Sequence, residues 1–492
     1  MKKNWGWFVI CSMTLVEARI PLNQSKFLEP TRVNLNRLED TFEKADGIPL
    51  TLASGTNTIS SSGVYYIDNS KSDADITISS DNVVLNLRGR LVQSINVAGS
   101  YVKVQNGNVA YSANTAVSAT GVHDIFFEDL IVENSGSTGT TYAVTFSMCK
   151  NVGYSNINMY GDGAQLLFDV CTIVDVSDLK ILGTNGGTPT YGIRMNSCPN
   201  ISCRNVSIAN YKATTSTFYV YGASNFVMEN VLTTSCSASG STGVLELSTC
   251  SGGSVKGCSI KGSASGGHGI LVNNCLATTF DNCSAVNANL SGFYLTGNTS
   301  SILVTNCLAA SNGSNGFAIT VNGTVDLYNC ISTNNTSDGI IIDGGSRISI
   351  DNCSCVDNNG NGITMEDSLV LDCTIENSSV TGNGGHGILV QDNGGGVPKQ
   401  GAIINNYVAS NTSEGIYLRS TGIFRFTVAS NKCIGNSVGI EQPSGSTASN
   451  AVFNNVALAN TSANYVNVSA GNRGTLASLN TGTQTAWANI TN

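Results

Sequence analysis

The chain has 492 residues, of which 12% are charged, 53 are Gly and only 7 are Pro, with a formal net charge of -9. So little charge and proline exclude a disordered chain, and so acidic a balance leaves few cations for a phosphate backbone, so nucleic acid is not an expected partner. At this length an ordinary core would divide into two or three domains unless a repeat carries it.

Residues 1–18 begin Lys2-Lys3, run through an apolar stretch from Gly6 to Val16 and end Val16-Glu17-Ala18, the pattern of a candidate signal peptide. Trp5, Trp7 and Glu17 fit a buried N-terminal strand instead, and both readings stand. The stretch is shorter than the roughly 20 residues a membrane-spanning helix needs, so no transmembrane segment is expected and the expected location is secreted or cell surface. Residues 19–46 are assigned to an N-terminal cap. Within it Leu35, Leu38 and Phe42, at i, i+3 and i+7, predict a short amphipathic helix closing the open end.

Residues 47–475 are short apolar triplets separated by Asn, Gly and Ser, with no helical period. A Gly followed by an alternating apolar triplet recurs at Gly269, Gly292, Gly316, Gly339, Gly362, Gly387, Gly415 and Gly439. Upstream the same phase is carried by Cys149, Cys171, Cys198, Ala223, Cys250 and Cys275. A second column reads Cys258, Cys283, Cys307, Cys330, Cys353, then Ser378, Tyr407 and Cys433. Before it runs an Asn column through Asn282, Asn306, Asn329, Asn352, Asn377 and Asn406, with Asn156, Asn205 and Asn230 in phase upstream. A further one, Asn312, Asn335, Asn358, Asn383 and Asn411, precedes the repeat Gly by four places. Repeats of this period bury their apolar side only by stacking, and stacked Asn residues pass hydrogen bonds from coil to coil while tolerating a left-handed corner. The expected fold is therefore all-β: one right-handed parallel β-helix solenoid of about sixteen coils over 47–475. Residues 476–492 break phase and are assigned to a C-terminal cap or tail. Most of the sixteen cysteines are read as buried free thiols, since the core is already large.

These ladders, with Ile76-Thr77-Ile78-Ser79 and Asn82-Val83-Val84-Leu85-Asn86-Leu87-Arg88-Gly89 as the opening coils, resemble the pectin-lyase-like superfamily of right-handed β-helices. The resemblance implies a polysaccharide or cell-surface glycan as partner, and either binding or an activity such as lyase, epimerase or glycoside hydrolase. In the polygalacturonase branch a G-H-G lies near an N-T-D, a D-D pair and an R-x-K. Here His268 and His386 both stand in G-G-H-G-I. Around His386, Asp338 holds the phase of the first carboxylate, Gly360-Asn361 replaces the paired acids, Tyr417 and Arg419 occupy the R-x-K positions, and Glu366-Asp367 is out of phase. One carboxylate does not make the pair that glycoside hydrolysis needs, so that mechanism is not expected and the histidines are read as surface residues of a turn.

The strand phase also indicates which side chains stack on the outside. One column reads Thr145, Leu167, Arg194, Tyr219, Glu246, Leu271 and Tyr294, and two places on lie Ser147, Asp169, Asn196, Tyr221, Ser248 and Asn273. Asp169, Arg194, Asn196, Tyr219, Tyr221 and Glu246 thus form one patch. Tyr faces cover sugar rings while Arg and acids reach hydroxyls, so this is the candidate carbohydrate-binding site; ordinary cross-coil pairing explains the same residues without a ligand. Asp343 and Glu366 stack further along, too few for a Ca²⁺ site, and no cofactor is expected, Ca²⁺ being compatible with an acidic glycan but without a ligand set. The leading expectation is an exported protein that binds a glycan along its lateral face. An enzyme using Asp169, Arg194 and Glu246 as acid, clamp and base, and a structural or adhesive rod, are the alternatives.

Overall fold

The computed structural model describes residues 47–468, apart from short loop segments, together with the strands Leu476–Ser478 and Asn489–Thr491. The candidate signal peptide, the cap helix and most of the C-terminal tail lie outside the described residues.

Alternation of apolar and polar residues determines the local structure. In Ala74–Ile78 the first, third and fifth residues are buried and the two between are half-buried, so one side of the strand faces inward. Each strand pairs in parallel with its equivalents on neighbouring coils, as Leu166–Asp169 does with Val144–Ser147 and with Tyr191–Asn196. Eighteen successive strands, from Gly55–Ile59 to Ala463–Val466, stack into one face, called the front face below. That is slightly more than the about sixteen coils expected from the repeat. The Gly and Cys signals begin near residue 143, whereas the first rungs are shorter, with Gly55 paired to Ala74 and Asp75 to Ser94, and carry neither signal.

The other two faces meet at a sharp corner. In early coils one ten-residue strand, such as Ile173–Leu182, passes through it, and in later coils two short strands such as Asn200–Arg204 and Ser207–Ala209 flank it. The corner residue adopts a left-handed backbone, with φ near 53° at Asp178, 54° at Asn205 and 56° at Asn230. Asn and Asp tolerate that conformation, and their side chains link the coils: Asn205 Nδ2 donates to Asp178 Oδ1 at 3.0 Å, and Asn230 Nδ2 to Asn205 Oδ1 at 3.1 Å.

The interior is one continuous apolar column in which stacked rings, such as Phe146 on Phe168 at 5.2 Å and Phe293 on Phe317 at 4.8 Å, extend along the axis. Fifteen cysteines from Cys149 to Cys433 are free and buried, as expected. The buried Asn column is a hydrogen-bonded ladder. Asn335 donates from both its backbone nitrogen and Nδ2 to Asn358 Oδ1, at 3.1 and 2.8 Å, and its Nδ2 also reaches Ala309 O at 3.2 Å. The ladder runs beyond Asn411 to Asn436 and Asn460.

The second Cys column takes a different course from the one expected. Strand register aligns Tyr407 with Ser379 and Lys432, so Cys353 and Ser378 are followed by Asn406 and Asn431, while Tyr407 and Cys433 belong to later positions. Likewise Asn405, with φ 58°, holds the left-handed corner that had been assigned to Asn406. A one-residue shift between coils of unequal length produced both differences. Four members of the column share one task, accepting a backbone N–H from the preceding coil. Cys307 Sγ accepts from Cys283, Ser378 Oγ from Cys353, Asn406 Oδ1 from Ser378 and Asn431 Oδ1 from Asn406.

Candidate functional site

On the front face, register pairs Asp169 with Asn196, Arg194 with Tyr219, Asn196 with Tyr221, and on the next rung Tyr219 with Glu246 and Tyr221 with Ser248. All six predicted residues therefore stand on four successive rungs, about 4.8 Å apart. Their rings and charges meet two residues that the sequence reading missed. Tyr191 stacks on Tyr219 at 5.3 Å with 28° between planes, and Tyr219 lies 6.3 Å from Tyr221 at 18°. The Arg194 guanidinium sits 5.0 Å over the Tyr191 ring, and its Nη1 donates to the Tyr142 hydroxyl at 3.5 Å. Its Nε is buried and has no hydrogen-bond partner among the described residues. The signal for Tyr191 was present: it immediately precedes Gly192, the place that His268 and His386 hold before their own Gly.

Two of these positions differ from a simple exposed strand. Glu246 is only 9% exposed and Leu271, next in its column, only 5%, where the strand phase predicted outward residues. The Glu246 carboxylate accepts a hydrogen bond from Ser216 Oγ. Burial raises its pKa, and the Ser216 bond opposes that rise. Burial also raises the Tyr191 and Tyr219 hydroxyls, with Arg194 acting against both shifts. Asn196 is tied to Asp169, whose Oδ1 accepts from Asn196 Nδ2 at 2.6 Å.

The histidines are not the free surface residues expected. His268 is 7% exposed, stacks 4.4 Å from the Tyr294 ring, and burial depresses its pKa to about 4. His386 Nδ1 lies 2.5 Å from the Glu414 carboxylate, and its ring is 5.2 Å from Tyr417. Burial lowers the His386 pKa and Glu414 opposes this. Glu414 precedes Gly415 as His386 precedes Gly387, so it holds the next place in that outward column. Asp338 belongs to the same column but is occupied by its own coil neighbours: Thr364 Oγ1 donates to Oδ2 and the Asn361 backbone to Oδ1, each at 2.7 Å. Gln391 Nε2 donates to Glu366, and Arg419 Nη1 reaches Gln391 Oε1 at 3.5 Å. Among the described residues no three His, Cys, Asp or Glu side chains converge as metal ligands would.

A family profile described as "Right handed beta helix region" matches residues 242–400. The chain is a right-handed parallel β-helix. Solved structures similar to this β-helix include the A-module of Azotobacter vinelandii mannuronan C-5 epimerase AlgE6, at 14% identity over 80% of this chain and 90% of that one, with a TM-score of 0.31. The periplasmic alginate epimerase AlgG is 9% identical over 68% and 76%, with a TM-score of 0.35. The bacteriophage CBA120 tailspike protein 3 is 8% identical over 92% and 61%, with a TM-score of 0.26. No curated protein matches the sequence. Among the described residues no helix of the β-helix is long and apolar enough to cross a membrane.

Proposed function

We propose that this β-helix binds a polysaccharide along its front face, with Tyr191, Tyr219 and Tyr221 supplying ring-sized apolar surfaces and Arg194 recognising an acidic or hydroxyl group. The observation that carries the reading is Arg194 itself: a cation seated among Tyr142, Tyr191 and Tyr219, with a buried Nε that nothing in the described chain satisfies. A buried donor without an acceptor costs about 1–3 kcal/mol, and a ligand oxygen removes that cost. Rigid aromatic rings beside it add contact area with little loss of side-chain entropy.

Binding is favoured over hydrolysis at this patch by spacing. Asp169 and Glu246 are separated by three rung steps, about 14 Å. Paired carboxyl groups that cleave a glycosidic bond stand roughly 5–9.5 Å apart. A secreted or cell-surface setting belongs to the same proposal and is supported by Lys2-Lys3 and the apolar stretch after them; recovery of the protein from the medium of expressing cells tests it. The binding test is retention on a panel of immobilised polysaccharides, with product formation followed by reducing ends and unsaturated-uronate absorbance. Retention that Arg194→Ala abolishes, without product, is the expected result. Retention that Arg194→Ala leaves unchanged would show that this patch is not the site.

A further inference from the structure

At the corner between the other two faces the repeat departs from itself at Gly257. Glu229 pairs with Lys256 and Lys256 with Asp281, so Asn230, Gly257 and Asn282 hold one column, all left-handed, with φ of 56°, 61° and 53°. Asn205 shows what a side chain does there: its Oδ1 accepts from Asn230 Nδ2 at 3.1 Å and its Nδ2 donates to Asp178 Oδ1 at 3.0 Å. Gly257 can do neither. Among the described residues Asn230 Oδ1 receives no donor and Asn282 Nδ2 finds no acceptor, and Asn306 Nδ2 bypasses Asn282 to donate to Asp281 Oδ1 at 2.9 Å. Asn230 Oδ1 points into the gap, 2.9 Å from where a Cβ on Gly257 would stand. A hollow of about 370 Å³ opens at the same place, lined by uncharged residues that include Asn205, Ser207, Asn230, Leu232, Gly257 and Ser259. Leu232 is the second departure. It is 44% exposed, where its column holds Ser207, Ser259 and Ser284 on nearby coils. Stacking needs neither change, since adjacent coils stack with Asn and Ser at these positions.

We infer that this hollow binds the acetamido group of an N-acetylated amino sugar, at a site separate from the front face. A trans amide presents its N–H and its C=O on opposite sides. Set in the gap along the corner column, it donates to Asn230 Oδ1 and accepts from Asn282 Nδ2, taking the place of the missing Asn amide. Its methyl packs on Leu232, and the sugar hydroxyls meet Ser207 and Ser259. Small-molecule sites combine an apolar wall with a few placed polar groups, and the hollow's volume falls within their usual range of roughly 300–1,000 Å³. The uncharged lining offers no counterion to a carboxylate, a phosphate or a metal ion. A hexose without the acetamido group would engage the serines and leave Leu232 uncovered, so the amide and its methyl are the recognised element. The inference stands whether or not the front face binds a glycan.

The test titrates N-acetylglucosamine, N-acetylgalactosamine and N-acetylmannosamine against glucose, galactose and mannose, which carry a hydroxyl in place of the acetamido group. Binding is followed by saturation-transfer and chemical-shift NMR on the parent, Gly257→Asn and Leu232→Ser. Each substitution installs the residue that neighbouring coils hold, so stacking is kept, and thermal unfolding checks it. The expected result is that at least one N-acetyl sugar binds the parent with a Kd of about 1 mM, about tenfold more tightly than its hexose, with the strongest saturation at the acetyl methyl. Gly257→Asn should weaken it by about tenfold, because the new amide takes both bonds, and Leu232→Ser by about threefold. Unchanged affinity in a folded Gly257→Asn, or equal binding of the N-acetyl sugar and its hexose, would overturn the amide slot. Absence of binding by all three N-acetyl sugars up to about 20 mM would overturn it as well.

Discussion

The coils from about residue 142 to 275 and those from about 289 to 460 solve the same stacking problem with different chemistry. In the first, the repeated inward position holds thiols that bond weakly to nearby carbonyls, as Cys171 Sγ does to Phe146 O at 3.4 Å. In the second, where Cys307, Cys330 and Cys353 continue a thiol column, amides from Asn312 to Asn460 add a continuous hydrogen-bonded ladder from coil to coil. An amide ladder fixes each coil against the next by directional bonds in a low-dielectric interior, whereas a thiol column fixes it mainly by packing. The aromatic patch, with the Arg194 Nε left without a partner among the described residues, lies on the coils before the amide ladder, and the His386–Glu414 pair lies on coils that carry it. Coil stability and the outward chemistry are therefore carried by separate sets of positions.

The sharpest way to break that comparison is to remove one rung of the ladder. Asn358→Ala strands the backbone nitrogen of Asn335, takes one of the acceptors from its Nδ2, and removes the donor to Asn383 Oδ1 and Ser332 O, and should cost roughly 4 kcal/mol. In denaturant unfolding, with hydrogen exchange over 335–383 as local readout, a loss under about 1 kcal/mol would make the ladder no better than packing. Next in size is an acid effect confined to His268. Its pKa of about 4 in the folded chain lies below the ordinary 6.5, so the unfolded state takes up the proton first as pH falls. The contribution is full above pH 6.5 and is lost progressively toward pH 4, on the order of 3 kcal/mol. His268→Gln should flatten that part of the stability profile; an unchanged slope would mean that other groups set it.

Smaller effects are expected on the outer surface and in the thiol column. Tyr219→Ala should weaken retention on a bound polysaccharide by about tenfold, or about 1.4 kcal/mol, with unfolding shifted by less than the ladder variant. Equal losses of binding and stability would mean that the ring is only packing. Cys307→Ser should stay within about 1 kcal/mol, because Ser378 further along the same column and Thr299 in the Cys275 column already perform the same acceptor task. A loss matching Asn358→Ala would erase the distinction between the thiol column and the amide ladder.

Much of the fold was legible because each structural need repeats at a fixed phase. The Gly-triplet and the Asn column before it located strands, corners and the buried ladder without any single strong motif. Where coils differ in length the phase slips, so Tyr407 and Cys433 were assigned to a column that Asn406 and Asn431 occupy. The first coils were undercounted because they are shorter and carry no Gly or Cys marker. The six predicted patch residues came from alternation alone, and the register brings them together. Tyr142 and Tyr191 were missed because only the columns following the repeat Gly were followed outward. Glu414 was missed for the same reason, since the downstream comparison was made only at the R-x-K positions Tyr417 and Arg419 and not at the residue before Gly415. Burial of Glu246 and His268 involves side chains of adjacent coils, Ser216 on Glu246 and Tyr294 on His268, which no single strand encodes.

The most direct test of the front-face account is a polysaccharide retention panel run side by side on the parent, Arg194→Ala and Tyr219→Ala at fixed ionic strength. The account predicts that the parent is retained on at least one acidic polysaccharide, that both variants elute early, and that all three unfold alike. A parent that passes every matrix unretained, or variants retained as strongly as the parent, would contradict it.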